Sequence, residues 1–425
     1  MIFINPSKLT HIIQTMKYKT AFTFSAVASF GVACAQGLYY VGDETFESSP
    51  IRWTVGASTV FDDNINPSVT AGPGKNEEAW SLNPTVGATF SAKSPQTTID
   101  LFARAGVNYY LTSSDLSGAD DTTPNGRMSL DLTHRASERL RFSSRNFISY
   151  EMEPEYAYGI SNQRGSDPST FWTSDNSAGY RWTERVGSFT GFALSGYLSD
   201  APNSDRNSWA IYHQMRYAVS PRSTMTAQYR YAEWTGGNPS DSENHYLTAG
   251  LEHRLSANSI AVLSAGLQLR DVADGDSSTN PYFELAVNNR INSSFSIRGF
   301  TRYSVEDLDT IRPVGTATYE FSDQQVLRVG LTGEYVLTPR LSGFGGIDYV
   351  GSGFDAGNLI SSPTSAPATA GGLEEGLVNL HVGLRAKLSD QLTGECSINF
   401  TNSGSDFEAR DYDRLRLSAG VSYSF

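Results

Sequence analysis

The chain has 425 residues and carries 45 acidic against 32 basic side chains, a formal net charge of −13, with 22 tyrosines, 22 phenylalanines and 38 glycines. That acidic balance argues against a nucleic-acid partner, which wants a basic stripe. No segment after residue 35 stays apolar long enough to span a bilayer as a helix, yet the aromatic content is high while the average is polar. Strands greasy on one side and wet on the other give this combination.

In chain order, the first element is a secretory leader over residues 1–35, with Met16 as the expected start. Lys17 and Lys19 form its positive end, Ala21–Val32 its apolar core, and Ala33-Cys34-Ala35 an A-x-A-type cleavage site. Acylation of Cys34 fits less well, because Gly31 stands where a large aliphatic residue is usual. Removal of the leader takes away Lys8, Lys17 and Lys19 and no acids, so the mature chain is more acidic still. Cys396 is then its one cysteine, and no intrachain disulfide can form. A short segment, 36–50, precedes one large domain over 51–425.

The domain opens with Val60-Phe61-Asp62-Asp63-Asn64-Ile65-Asn66, followed by Leu82-Asn83-Pro84-Thr85-Val86-Gly87. These two runs resemble the opening of the beta-barrel porin 2 family, in which a strand ends in Asp-Asp-Asn and the next begins near a proline. The resemblance covers about the first two strands. It implies an outer-membrane, pore-like barrel with a role in uptake or export of polar solutes or polysaccharide, and it supplies no catalytic residues. Read chemically, Asp62 and Asp63 are oxygen donors that could hold a divalent cation such as Ca²⁺. Capping a strand at the start of a loop is the commoner use of such a cluster.

Short turn motifs then recur between alternating runs: Ser94–Gln96, Ala136–Arg139, Ser220–Ser223, Ser256–Ser259, Asn292–Ser294, Thr338–Arg340 and Ser389–Gln391. Longer connectors rich in Gly, Asp, Asn and Ser separate them, among them 63–78, 112–126, 152–170 and 351–376. Alternation places Ile99, Leu101, Val107, Tyr109 and Leu111 on one face and Asp100, Arg104 and Asn108 on the other. The same holds for 208–219, 326–337 and 377–388, and Cys396 falls on the apolar face; the strand at 188–199 fits either register. The fold predicted is all-β: a transmembrane antiparallel up-and-down β-barrel of about 18 strands (16–20), with short periplasmic turns and long outer loops. One run, Val314–Phe321, would make the count odd. It is assigned to a long outer loop, 304–325, as a strand extension beyond the membrane. All six tryptophans lie in or beside predicted strands, as two interfacial girdles require.

The polar face carries Arg104, Arg216, Arg230, Arg270, Arg298, Arg302, Arg328, Arg385 and Arg416, with Glu252, Glu284, Glu334 and Glu395 among them. Such residues either pair to stiffen the wall or set a field across a hydrated pore that filters solutes by charge. The connector 152–170 is a candidate constriction loop through Glu151, Glu153 and Glu155. Other loop acids are either plain solvated surface, or bridges through divalent cations to lipopolysaccharide or an attraction for cationic solutes. No resident cofactor is expected.

Enzymatic motifs are lacking: there is no G-x-S-x-G, H-E-x-x-H, P-loop or C-x-x-C. Gly275-Asp276-Ser277-Ser278 sits in a predicted hairpin loop without the strand-to-helix turn a nucleophile needs. His134, His213 and His253 fall on outward positions.

The last strand alternates Leu415, Leu417, Ala419, Val421, Tyr423 and Phe425 against Arg416, Ser418, Gly420, Ser422 and Ser424. An apolar face ending on an aromatic at the last residue resembles the closing strand of bacterial outer-membrane barrels. That resemblance implies Tyr423 and Phe425 as a signal for the barrel-assembly machinery. The expected function is a non-enzymatic channel for passive or gated passage of small polar solutes in the bacterial outer membrane, in contact with lipid and lipopolysaccharide, with a homo-oligomer open. The other readings are a structural or adhesive barrel with a plugged lumen and, behind it, a barrel-embedded hydrolase.

Overall fold

The computed structural model describes residues 49–65, 78–111, 122–152, 168–199, 205–236, 241–256, 258–273, 277–306, 311–321, 323–355, 357–362, 367, 369–407 and 410–425. The expected leader lies outside these residues.

The strands are β1 (Ser49–Asp62), β2 (Ala79–Lys93), β3 (Thr97–Tyr110), β4 (Thr122–Arg135), β5 (Leu140–Glu151), β6 (Ser169–Arg181), β7 (Val186–Leu198) and β8 (Arg206–Ser220). They continue with β9 (Ser223–Thr235), β10 (Ser242–Ser256), β11 (Ser259–Val272), β12 (Ser278–Arg290), β13 (Phe295–Glu306), β14 (Ile311–Val314) and β15 (Ala317–Phe321). The last are β16 (Gln324–Thr338), β17 (Leu341–Phe354), β18 (Gly357–Ser361), β19 (Thr369–Ala370), β20 (Leu373–Lys387), β21 (Leu392–Ser405) and β22 (Tyr412–Ser424).

Eighteen of them form one antiparallel sheet, and β1 closes on β22 from Thr54↔Ser424 to Asp62↔Arg416. The result is a closed barrel with no helix among the described residues. The other four, β14, β15, β18 and β19, form a separate sheet. The run Val314–Phe321 thus lies outside the wall, and the wall keeps its even strand number.

All seven expected turns join hairpins at one end of the barrel. Their chemistry is local: Ser137 Oγ accepts from Leu140 N at 3.0 Å, Asn292 Oδ1 from Phe295 N at 2.8 Å, and Ser389 Oγ from Leu392 N at 3.0 Å. An eighth turn, Trp182–Arg185, was not among those expected. It works the same way, with Thr183 Oγ1 accepting from Val186 N at 3.0 Å. The strand ends that the long connectors join lie at the opposite end.

Side chains opposite one another in an antiparallel ladder share a face. Leu331, Val382 and their ladder neighbours are about half exposed, at 47% and 54%, and so are large apolar residues on every side of the wall. Soluble monomers rarely expose contiguous apolar patches beyond about 300–600 Å², so an apolar band around the whole barrel calls for a lipid surrounding. Register also settles β7. Phe192 pairs with Ile211 and Leu194 with Trp209, which puts Phe192, Leu194 and Leu198 outward. Cys396, opposite Leu384 and Ala419, faces outward as expected. Five tryptophans make two belts: Trp53 and Trp182 near the turn end, and Trp80, Trp172 and Trp209 near the loop end. The sixth corrects the expectation. Trp234 pairs with Ser208 and Ser242 on the inner face, because the polar edge of indole is accommodated there as well.

Candidate functional site

All nine arginines predicted for the polar face lie on the inner face of the barrel. The structure adds their partners, which spacing alone does not give. Arg104 is directly opposite Arg127 in the β3–β4 ladder, and Arg302 is directly opposite Arg328 in the β13–β16 ladder. Like charges so placed repel. In each case a glutamate at a strand's loop end bridges the pair. Glu151 meets Arg104 at 3.1 Å and Arg127 at 2.6 Å, while Glu306 meets Arg302 at 2.9 Å and Arg328 at 2.7 Å. Glu151 is therefore the end of β5 and part of the wall. Glu153 and Glu155 lie outside the described residues.

The other arginines divide by partner. Arg216 binds Glu252 through both guanidinium nitrogens, Arg270 binds Asp323, and Arg385 reaches Glu395 at 2.7 Å and Glu334 at 3.7 Å. Arg416 donates to Asn399 Oδ1 at 3.1 Å. Inward aromatic rings support several of them: Arg127 lies over Phe147, Arg216 over Phe189, Arg230 over Tyr246 and Arg385 over Phe344, at 5.2–5.6 Å. Such stacking holds a guanidinium in place without neutralising it. Arg298 has no hydrogen-bond or ion-pair partner among the described residues and is exposed to the lumen.

Hydration changes along the barrel axis. Towards the turn end, inward side chains keep water, as in Arg298 and in Glu334, which is 45% exposed. Towards the loop end the inner face is packed. Gln268 donates to Asn244 Oδ1 at 2.8 Å, and Asn399 and Thr401 both donate to Asn379 Oδ1, at 2.7 and 2.9 Å. All five of these residues are buried. Beside them Val326, Val350 and Leu377 point inward and pack together.

The Asp62–Asp63 cluster closes the barrel seam. Arg414 binds both Asp62 oxygens, at 3.0 and 2.5 Å, and Asp62 Oδ1 also accepts from Asn64 N at 3.1 Å. Asp63 Oδ1 accepts from Leu415 N at 2.6 Å. Both carboxylate oxygens of Asp62 and Oδ1 of Asp63 are thus engaged by β22 and its neighbours. No group of three or more potential metal ligands occurs among the described residues. Burial pushes the Asp63 carboxyl above the usual carboxylate range, against the opposing pull of its backbone hydrogen bond.

At the other end of the seam Phe425 and Trp53 exchange both backbone hydrogen bonds, each 2.9 Å, and Tyr423 donates to Gln391 at 2.6 Å. The outward histidines His134, His213, His253 and His245 share hydrogen bonds through Nδ1 with hydroxyls of Thr97, Thr190, Ser223 and Tyr229. Ser277 donates to Asp271 at 3.1 Å, and residues 274–276 lie outside the described ones. Sequence reasoning did not single out Arg127 or Arg414. Each had a signal: Arg127 sits between outward Gly126 and Met128, and Arg414 is one alternation step before Arg416.

No known family model matches the chain, and no curated protein sequence does either. Solved structures do. One is a BenF-like porin from Pseudomonas fluorescens Pf-5, 10% identical, with a TM-score of 0.44 over 89% of this chain and 99% of that one. Another is OpdK from Pseudomonas aeruginosa, solved with vanillate, 12% identical, with a TM-score of 0.43 over 88% and 99%. OccAB4 from Acinetobacter baumannii is 12% identical, with a TM-score of 0.42 over 89% and 99%. Each of these is a likeness of fold: this chain is a closed antiparallel β-barrel similar to outer-membrane channels.

Proposed function

We propose that the chain is an outer-membrane channel that passes small polar solutes by diffusion through its lumen, with selection by width and by the arginine-lined wall. The observation that carries this is the inversion of polarity across one closed sheet. Large apolar side chains surround the outside, while ion pairs and an exposed Arg298, without a partner among the described residues, line the inside. Barrels of 16–18 strands are wide enough for an aqueous path. In this reading the short turns face the periplasm, the long loops face outward, and lipopolysaccharide and the barrel-assembly machinery are its partners. The likeness of the opening strands to the beta-barrel porin 2 family belongs to the same proposal, as does a leader ending at Ala35.

A second reading, a barrel with a plugged lumen, draws support from the packed inner face at the loop end. Single-channel recording of the purified protein in a planar bilayer separates the two. Stepwise ohmic conductance is expected for a channel, and silence at every voltage, both in the parent and in variants that loosen the packed loop end, would overturn the channel reading.

A further inference from the structure

The wall is not equally sealed along every seam. The β12–β13 ladder runs from Arg290↔Ser296 to Phe283↔Tyr303 and ends there. Yet β12 goes on to Ser278, still paired with β11, and β13 goes on to Glu306, still paired with β16. Pro281, which has no N–H to donate, stands where the ladder would continue. Above that point the ends of β13 and β16 part from β12 and turn to the lumenal side.

Their hydrogen bonds show where they go. Gln268, on the inner face of β11 and two strands away, accepts from Val305 N and donates to Val305 O, both at 3.0 Å. One side chain thus replaces the missing ladder for both backbone groups, as buried amides require. Asp323, just before β16, pairs with Arg270, also on the inner face of β11. Gln268 is 0% and Arg270 2% exposed, although both point into the barrel.

The four-stranded sheet rides on these strand ends. Phe321 of β15 packs edge-on against Phe354 and Phe407, with ring centroids 5.4 and 5.8 Å apart, and Phe354 shares the inner face of β17 with Phe344. Ala317 and Tyr319 complete this core, with Leu359 of β18 against it. The sheet is therefore held on the lumenal side of the rim from two directions: by an apolar core along β17, and by a polar latch of two side chains on β11.

We propose that the loop ends of β13 and β16, with the sheet of β14, β15, β18 and β19, form a lid latched across the mouth of the lumen by Gln268 and Arg270. The asymmetry suits a hinge. The phenylalanine core is broad and water-excluding, whereas the latch consists of one amide and one ion pair that can exchange partners with water or a solute. The proposal rests on the channel reading, and it makes the packed loop end a closed state of that channel.

The test uses the whole protein with Cys34→Ala and Cys396→Ala, so that introduced thiols are the only ones. Adding Arg270→Cys and Asp323→Cys removes the ion pair, and a short thiol-specific bifunctional reagent can then bridge the two positions reversibly. Heat-modifiable mobility on gels checks that the barrel is folded. The reduced double-cysteine barrel is expected to conduct roughly twofold or more above its parent, since the narrowest point sets conductance. Bridging should bring it back to the parent level or below, and reduction should release it again. Equal conductance in all three states would overturn the lid and leave the channel standing.

If no state conducts, the channel reading fails and a second readout decides the lid alone. Thr332→Cys, in the same cysteine-free background, places a thiol on the inner wall. A membrane-impermeant maleimide added from the loop side should label it faster when Gln268→Ala and Arg270→Met are present. An unchanged labelling rate would overturn the lid.

Discussion

Arg104 stands directly opposite Arg127 across the β3–β4 ladder, and the Glu151 carboxylate spans both guanidiniums at 3.1 and 2.6 Å. The three side chains are between 11% and 29% exposed, so the charges are only partly hydrated. Glu151→Gln leaves two facing cations with no counter-charge. Stability should fall by about 1–3 kcal/mol, less than for a fully dry pair because lumenal water screens part of the repulsion. The reversal potential in a salt gradient should shift towards anion selectivity. An unchanged potential would place this cluster outside the conducting path.

Lipid and lumen faces predict different costs for a new charge. Arg at Leu331 or Val382, both on the exposed apolar band, should destabilise the barrel by about 2–4 kcal/mol if the site is near the midplane. Arg at Thr332 meets the lumen, with Arg298 opposite it, and should cost about 1 kcal/mol or less. Gly383 is not a useful control. A Cβ there would fall 2.3 Å from Ser397 Cβ and 2.7 Å from the Cys396 carbonyl, so any side chain must displace backbone. Urea titration of refolded protein gives the ranking, and Thr332→Arg ranking worse than Leu331→Arg would reverse the assigned faces.

The wall was legible because each strand meets lipid on one side and polar lumen on the other, which writes period two into the sequence. Turn chemistry marked the hairpins, and parity kept Val314–Phe321 out of the barrel. Pairing was not legible. That Arg302 opposes Arg328 depends on register between strands separated by an entire outer hairpin. The inward fold at the mouth was hidden for a related reason. Val326, Val350, Phe354 and Leu377 are apolar on the face that should be wet, since the lid and its phenylalanine core exclude water there. Gln268 reads as an ordinary lumenal residue until its bonds to Val305 are seen. Trp234 was misplaced because an indole can satisfy its N–H on either side of such a wall.

The seam carries a pH dependence through Asp63. Burial raises its carboxyl above the ordinary range, so the folded barrel takes up this proton at a higher pH than the unfolded chain does. Between those two points folding binds a proton, and the contribution of Asp63 to stability declines as pH rises. At neutral pH the ionised group opposes folding, and the penalty vanishes as pH falls below the unfolded value. Asp63→Asn keeps an oxygen for the Leu415 N–H and removes the charge. It should raise the urea midpoint at neutral pH and leave it unchanged in acid. A gain of equal size at both pH values would assign the effect to packing.

Closure at the turn end rests on Phe425 and Trp53, which exchange two backbone hydrogen bonds, while the Phe425 ring is exposed to the surroundings of the barrel. The backbone bonds and the ring therefore do separable work. Phe425→Ser keeps both hydrogen bonds and loses only the apolar end of the closing strand, whereas deleting the residue removes both. If the ring is the assembly signal, Phe425→Ser should still refold in detergent micelles with normal heat-modifiable mobility. In cells it should reach the periplasm and fail to insert, and Phe425→Trp should restore insertion. Deletion should fail in both settings, because the edges of β1 and β22 then end on unpaired groups. Folded Phe425→Ser protein at parental level in the outer membrane would show that backbone closure alone directs assembly.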